Sequence, residues 1–571
     1  MENKDLFKWI QRPVDNAKLT EIKGQTPIVS RLLAQRNIDN IDSFIDIAYK
    51  NLKHPNTLDG VEKAAQLFLE VVKEKGKVGV IGDYDADGIL SSVMIKELCK
   101  VYNLECTVFL PSRFDHGYGL NAKTIASFKE KIGEPVDLLI VTDCGSNNEA
   151  EVLELRKFGI KKVIIIDHHL VDKKTMSKSA DVLINWHLTE GHDEMCACGE
   201  VFKFIRGIKC FSNEVNPVEF LSYAAVGTVA DVMPIIGDNR IIVRNGLSAG
   251  ALNYVTASGL NALLRSSKVQ GDGLTQEEVA FRIAPRINAV GRLDDPYIAY
   301  SLMIEENMDD AERIAEYMEI YNKDRKQLQK DIELEAESKA LSANYKHGIL
   351  VYDDKWNVGV VGIVASRLVD KFRKPVVIVG AHDGVVKGSG RSVEDVNLKA
   401  ILDKCQHLFN SYGGHEAAAG VTLKKEMIKT AGKEFDQACK KYYQEQSKTN
   451  VITSYYDGAL KLGAVNENIA SHILDIMYPY CKYHNPEPIF LLKGVDLAKV
   501  SVKEGEGWRL LSVNVMKDGK MLEYPFKMFS HRHGSEISGL KADVYFKFPQ
   551  KWSQTGWSTF QLQIEHLELK S

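Results

Sequence analysis

The sequence predicts an α/β chain: a doubly wound parallel sheet, a long helix leading to a second α/β region, and a small β-barrel at the carboxy-terminal end. Three observations predict it. Apolar strands alternate with amphipathic segments through "KVGVIG", "CTVFLP", "DLLIVT" and "KVIIID", the pattern of βαβ units. A charged stretch at about 304–344 keeps recurring apolar positions without Gly or Pro, long enough to connect two lobes. The last 120 or so residues break into short alternating segments such as "RLLSVNVM", "ADVYFKF" and "STFQLQIEHLEL" separated by turn residues, as in a barrel.

Taken in order, residues 1–60 mix short helical patterns with breakers and read as a helical lead-in. Residues 61–250 carry the parallel-sheet domain, 251–345 a helical segment and the connector, 346–445 a second α/β domain containing "HGILVYDD" and "KPVVIVG", and 446–571 the barrel. A chain of 571 residues is too long for one core. No internal repeat or low-complexity tract is visible.

Composition excludes several classes. A 44% hydrophobic and 26% charged chain is an ordinary globular one. No run approaches 18 apolar residues, and "MENKDLFKWIQRP" lacks a basic start followed by an apolar core, so a cytoplasmic protein is expected. Nine scattered cysteines fit reduced thiols, and the close pair Cys196 and Cys198 has no second pair at zinc-ligand spacing. With a net charge of −4, any binding of phosphate backbones must come from local basic patches.

The chemistry gathers at four strand or helix ends. In "VIGDYDADGILSSVMI" an apolar strand ends at Gly82, then Asp83, Asp85 and Asp87 follow at every second position before a helix. Carboxylates so close repel one another unless a cation is present, and hard divalent cations want such oxygens. A calcium-binding hand is the competing reading, but it needs a preceding helix and a Glu at the position held by Met94. "DLLIVTDCGSNN" delivers Asp143, "VIIIDHHL" delivers Asp167, His168 and His169, and "AAVGTVADVMP" leads to Asp231. Any one of these acids could be a helix cap. Asp85, Asp87, Asp143, His168 and Asp231 converging on the crevice at the carboxyl ends of a parallel sheet would form a dinuclear metal constellation.

"DYDADG", "DCG", "DHH" and "GTVADVMP" resemble the four motifs of the DHH phosphoesterase superfamily, and "GGHEAAAG" at 413–420 resembles the hallmark of its associated DHHA1 domain. "PSRFDHGYGLN", "GDNRIIVRNGL", "APRINAVGRL", "WNVGVVGIVASRLV", "GSGRS" and "NPEPIF" are similar, in order, to blocks of its single-strand-specific exonuclease branch, over about residues 25–566. The resemblance implies a DHH-type domain joined by a long helix to a DHHA1 domain and an OB-like barrel. It implies a metal-dependent exonuclease that degrades single-stranded DNA 5′→3′ to mononucleotides in recombination and DNA repair.

Carried onto this chain, the resemblance implies that Asp85 and Asp143 hold one metal and that Asp87, Asp143, His168 and Asp231 hold the other. Asp83 and His169 then lie close by, with His169 on phosphate and Asp167 orienting its neighbours. Oxygen ligands with an imidazole suit Mn²⁺, two per active site, with Mg²⁺ as substitute. Arg113, Ser389 and Arg391 would bind the 5′-terminal phosphate, His415 the phosphate near the scissile bond, and Arg286, Asn288 and Arg292 the channel wall; an ion pair of these arginines with Asp294 or Asp295 is the competing explanation. In the barrel, Tyr524, Phe526, Phe529, Tyr545, Phe546, Phe548, Trp552 and Trp557 offer aromatics and Lys527, Arg532, Lys547 and Lys551 offer charge, most of the aromatics as core and two or three as base stackers. Expected partners are single-stranded DNA with a 5′ end, a RecQ-type helicase and a single-strand-binding protein, with the protein a monomer.

The chain departs from the pattern at Ile81, where many superfamily members have His, at "YCKYHNPEP" and at "GSNN" after Asp143. Two other readings remain: a phosphodiesterase for short oligonucleotides or cyclic dinucleotides, and an inactive DNA-binding scaffold. The barrel argues against the first and the complete set of carboxylates against the second.

Overall fold

In the computed structural model, residues 7–570 are described apart from 37, 39, 256, 270–272, 394–395, 447–451, 506–507, 531–532 and 551–559. The first lobe is built on five parallel strands in the order Cys106–Phe109, Val78–Ile81, Leu138–Thr142, Lys162–Ile166, Val182–Ile184. The central strands are apolar and buried on both faces because helices cover each side. From Val78–Ile81 the chain pairs first on one side, then crosses to Leu138–Thr142 on the other. That reversal opens a crevice at the carboxyl ends of these two strands, the place where doubly wound sheets bind ligands.

The helix Ala86–Val101 follows the first of these strands and is buried along nearly its whole length. It packs on Ala197–Lys209 and Val218–Ala230, so a single core holds every segment that reaches the crevice.

The connector helix spans Met308–Ala343, capped by Asn307, which separates it from the shorter Tyr297–Ile304 helix. Its first half buries Ala311, Ala315 and Met318 in the core of the first lobe, and its second half buries Ile332, Ala336 and Ala340 in the second lobe. That lobe holds a five-stranded sheet ordered Phe409–Gly414, Ala418–Leu423, Val385–Arg391, Val376–His382, Ile349–Tyr352, parallel only between the last two.

The carboxy-terminal strands close into a barrel. Phe490–Gly505, Trp508–Lys517, Phe526–Phe529, Leu562–Leu569 and Lys541–Lys547 pair in a ring, with Phe526–Phe529 parallel to Leu562–Leu569. This is the five-stranded Greek-key order of an OB fold.

The amino-terminal segment differs from a free-standing helical lead-in. It begins with a strand, Phe7–Gln11, that pairs in parallel with Ile452–Tyr456. Val29, Leu32, Leu33 and Phe44 join the barrel core. Buried Asp457 accepts hydrogen bonds from Arg36 Nη1 (2.5 Å), Arg12 Nε (3.1 Å) and Ile489 N (2.9 Å), which fixes this docking. Alternation could not show it, because the partners stand more than 400 positions apart. Among the described residues no helix is long and apolar enough to cross a membrane.

Candidate metal centre

Each acidic side chain reaches the crevice for a local reason. Asp85 caps the helix Ala86–Val101, its Oδ1 accepting from Asp87 N (3.0 Å) and Gly88 N (3.2 Å). Gly88 is required there, since a Cβ would stand 2.6 Å from Asp83 N. Asp87 accepts from Ala197 N (2.7 Å) and Cys198 N (2.9 Å), placing its carboxylate at the amino end of a second helix. Gly227 lets the next helix close over it, for a Cβ at 227 would lie 2.5 Å from Cys198 Sγ.

Asp143 has a left-handed backbone, φ +61°, unusual for a non-glycine residue and a form of strain that collects at functional sites. Its N–H donates to Ile166 O at 2.9 Å, which holds the turn against the neighbouring strand. Asp231 follows the carboxyl end of Val218–Ala230, where the helix dipole disfavours a negative charge.

These segments bring one imidazole against three carboxylates. His168 Nε2 stands 3.2 Å from Asp143 Oδ1, 3.6 Å from Asp231 Oδ2 and 3.9 Å from Asp87 Oδ2. Asp83, Asp85 and Asp143 form a second group of oxygens within ligand-sharing distance. Burial and the neighbouring carboxylates push Asp143 well above the usual range. Burial, with Asp85, pushes Asp83 up to about 8, and burial with Asp87 and Asp85 does the same for Asp231. Burial holds His168 below its ordinary value, against the pull of Asp87, which favours the neutral imidazole a metal needs. Asp83 Oδ1 is buried with no partner among the described residues. Crowded acids, an orphaned oxygen and a neutral imidazole fit two divalent cations with oxygen-rich coordination.

His169 lies within ligand-sharing distance of Asp143 and His168, and its ring is also held from both sides. Its Nδ1 lies 2.7 Å from Asp167 Oδ1 and its Nε2 2.9 Å from Tyr118 Oη. Although burial opposes it, the Asp167 carboxylate raises His169 to about 9. Burial would raise Asp167, but hydrogen bonds from His169 and Ser146 hold it well below the carboxylate range. The "GSNN" departure works as bracing: Ser146 N binds Asp167, Asn147 Nδ2 binds Leu170 O and Asn148 Nδ2 binds Leu120 O. Tyr118 was not singled out from sequence, although "DHGYGLN" contains it.

The other expected site residues divide. Arg113 lies over the Tyr84 ring at 4.0 Å, beside the Asp83 loop. Ser389 and Arg391 share the strand Val385–Arg391, with Arg391 Nη1 donating to Ser389 Oγ at 2.8 Å. Arg292 Nη1 donates across the lobes to Gly359 O at 3.0 Å. Asn288 Oδ1 accepts from Ala86 N at 2.8 Å and so holds the acidic loop. Arg286 pairs with Glu319 at 2.7 Å, so the ion-pair explanation holds for it, with a connector-helix acid in place of Asp294 or Asp295. His415 is exposed in a hairpin turn, its N–H donating to Ala418 O at 2.8 Å.

In the barrel, Phe526, Tyr545, Phe546 and Phe548 are buried, Tyr524 is half-buried and Phe529 is 72% exposed. Trp9 stacks on Tyr545 at 4.6 Å, taking that face for the chain itself. Lys527 is half-buried, and Lys547 is paired with Glu487 and Glu565, each at 3.1 Å, which removes it as a simple backbone contact. Trp552, Trp557, Arg532 and Lys551 lie outside the described residues.

Comparison with known proteins agrees with this architecture. Residues 77–228 match the DHH family, N-terminal domain, and residues 344–441 match the DHHA1 domain. The chain is 34% identical over 441 residues to the single-stranded-DNA-specific exonuclease RecJ of Bacillus subtilis, covering 74% of this chain and 54% of that protein. It is 29% identical to the Haemophilus influenzae protein of the same name, covering 83% of this chain and 84% of the relative. A crystal structure of RecJ in complex with Mn²⁺ from Thermus thermophilus superposes with a TM-score of 0.79 at 24% identity, covering 100% of this chain and 80% of that one.

Proposed function

We propose, from the match of residues 77–228 to the DHH family and of residues 344–441 to the DHHA1 domain, that the chain is a metal-dependent exonuclease acting 5′→3′ on single-stranded DNA. The observation that carries this reading is the crevice at the strand reversal, where His168 Nε2 meets Asp143, Asp231 and Asp87 within 3.9 Å. Asp85 and Asp143 would hold one divalent cation, and Asp87, Asp143, His168 and Asp231 the other, as Mn²⁺ with Mg²⁺ as substitute. When bound, such a pair supplies an activated water and neutralises charge on a phosphodiester.

The protein's own groups do the rest. Asn288 and the helix cap at Asp85 keep the acidic loop in one geometry. His169, kept charged by Asp167 and steadied by Tyr118, would contact a phosphate oxygen. Arg113, Ser389 and Arg391 supply forked and hydroxyl donors for a terminal phosphate. The closed barrel offers a second surface for the strand. Work in recombination and repair as a monomer, alongside a RecQ-type helicase and a single-strand-binding protein, completes the reading.

An oligonucleotide labelled separately at each end tests it. Early release of mononucleotides from the 5′ end of the single strand, absent in EDTA, is expected. Cleavage of dinucleotides alone would favour a small-substrate phosphodiesterase, and binding without cleavage under every metal a scaffold.

A further inference from the structure

The sequence block "GDNRIIVRNGL" contributes no member to the carboxylate cluster. It forms the helix Gly237–Gly246, whose first turn is polar yet buried: Asp238 and Arg240 are 2% exposed and Asn239 is 0%. Polar side chains tolerate such burial where they are hydrogen-bonded, so their partners show what the turn holds.

Two of the three anchor the helix. Asp238 pairs with Lys203 at 2.9 Å and accepts from Lys53 N at 3.1 Å. Arg240 donates to Ile476 O (2.7 Å), Met477 O (3.2 Å) and Pro479 O (2.6 Å) at the carboxyl end of the helix Glu467–Met477, and to Phe44 O (3.2 Å). The residue between them is therefore rigidly mounted.

Asn239 directs its amide at two loops. Its Nδ2 donates to Glu194 O at 2.7 Å and to Pro234 O at 2.9 Å. Each carbonyl belongs to a segment that holds one acid of the crevice. Glu194 lies three residues before Ala197, and Ala197 N and Cys198 N bond to the two oxygens of Asp87. Pro234 lies three residues after Asp231. A Cβ at Gly199 would stand 4.0 Å from Asn239 Oδ1, which sets the amide against the first turn of the helix that receives Asp87.

The loop after Asp231 needs such a restraint. Val232 has φ +58° and is 86% exposed. A β-branched residue in the left-handed region is strained, and that backbone persists where its surroundings over-determine it. The N–H groups of Val232 and Met233 return to Val229 O (3.2 Å) and Thr228 O (3.1 Å) in the preceding helix. The tie from Asn239 to Pro234 O comes from outside that helix.

We propose that Asn239 is a positioning residue for one of the two cations: by tying the Glu194 and Pro234 carbonyls to one amide, it sets the separation of Asp87 and Asp231 around His168. Among the described residues it makes no bond to the other group, Asp83, Asp85 and Asp143. This rests on the two-cation reading proposed above.

The test is Mn²⁺ binding to the full chain, followed by electron paramagnetic resonance of free and bound ions, in wild type, Asn239→Ala and the isosteric Asn239→Asp. Wild type is expected to take two ions whose spectrum shows the exchange coupling of a bridged pair. Asn239→Ala should bind one ion as wild type does and the other roughly 10- to 100-fold more weakly, the usual range for a residue that orients metal ligands. At the Mn²⁺ concentration that saturates wild type, its coupled signal should give way to that of an isolated ion. Asn239→Asp, protonated in its buried place, returns one of the two donated hydrogen bonds and should fall between. Melting in EDTA reads the fold separately, and if Asn239→Ala does not fold, Asn239→Asp carries the test. Coupled ions at wild-type affinity in every folded variant, or equal weakening of both ions, would overturn the proposal and leave Asn239 a brace of the fold. A wild type that binds a single ion would overturn the two-cation reading itself, and the clamp with it.

Discussion

Replacing Asp231 with asparagine should stabilise the metal-free protein. Burial and the carboxylates of Asp87 and Asp85 push this side chain up to about 8 from its usual 3.8. Between those two pH values the folded chain holds a proton that the unfolded chain has released, so stability falls as pH rises through that window and levels off above it. At roughly 1.4 kcal/mol per pH unit, the cost at pH 7 reaches about 4 kcal/mol, less what solvent recovers. Recovery is modest because the side chain is only 29% exposed. Asparagine carries no titrating proton and feels no repulsion. The metal-free variant should therefore melt several degrees above wild type at pH 7, show a flatter decline from pH 4 to 8, and gain less from Mn²⁺. Differential scanning fluorimetry with EDTA or Mn²⁺ over that range reads all three. A metal-free variant that melts below wild type at pH 7 would refute the argument that this acid sits where only a cation justifies it.

Three further outcomes follow from the same geometry. Mn²⁺ binding should release protons at pH 7 and tighten as pH rises toward 8, because Asp83 and Asp231 are raised to about 8 and protonated carboxyls do not ligate; calorimetry in buffers of different ionisation enthalpy measures this. Asp167→Asn should return His169 from about 9 toward the ordinary histidine range, so its charge is lost at lower pH and KM above pH 7 rises by about tenfold; an alkaline limb that does not move would count against a phosphate-facing cation. Asp457→Ala leaves Arg36 buried without its carboxylate and should cost about 3–5 kcal/mol, seen as early proteolysis and fast hydrogen exchange in the amino-terminal strand.

The carboxylate cluster was legible because each ligand candidate sits at the end of an apolar run, and a strand that must be buried leaves little doubt about where its polar tip emerges. Asp143 and His168 are of this kind. The barrel was legible by alternation. What sequence pattern could not reach are pairings across long separations. Arg286 looks like a channel residue until the connector helix brings Glu319 to it. Tyr545 looks like a stacking platform until Trp9 covers it. Lys547 looks like a phosphate contact until Glu487 and Glu565 close on it. Asn288, placed on the channel wall from its motif, spends its carbonyl oxygen on Ala86 N.

The most direct test of the central claim is to titrate Mn²⁺ into wild type and Asp143→Asn, counting bound ions by equilibrium dialysis while following digestion of 5′-labelled single-stranded DNA in the same samples. Two ions per wild-type chain, with cleavage appearing as they bind and both lost in Asp143→Asn, is the predicted result. Undiminished cleavage in the variant, or in wild type stripped of metal, would contradict it.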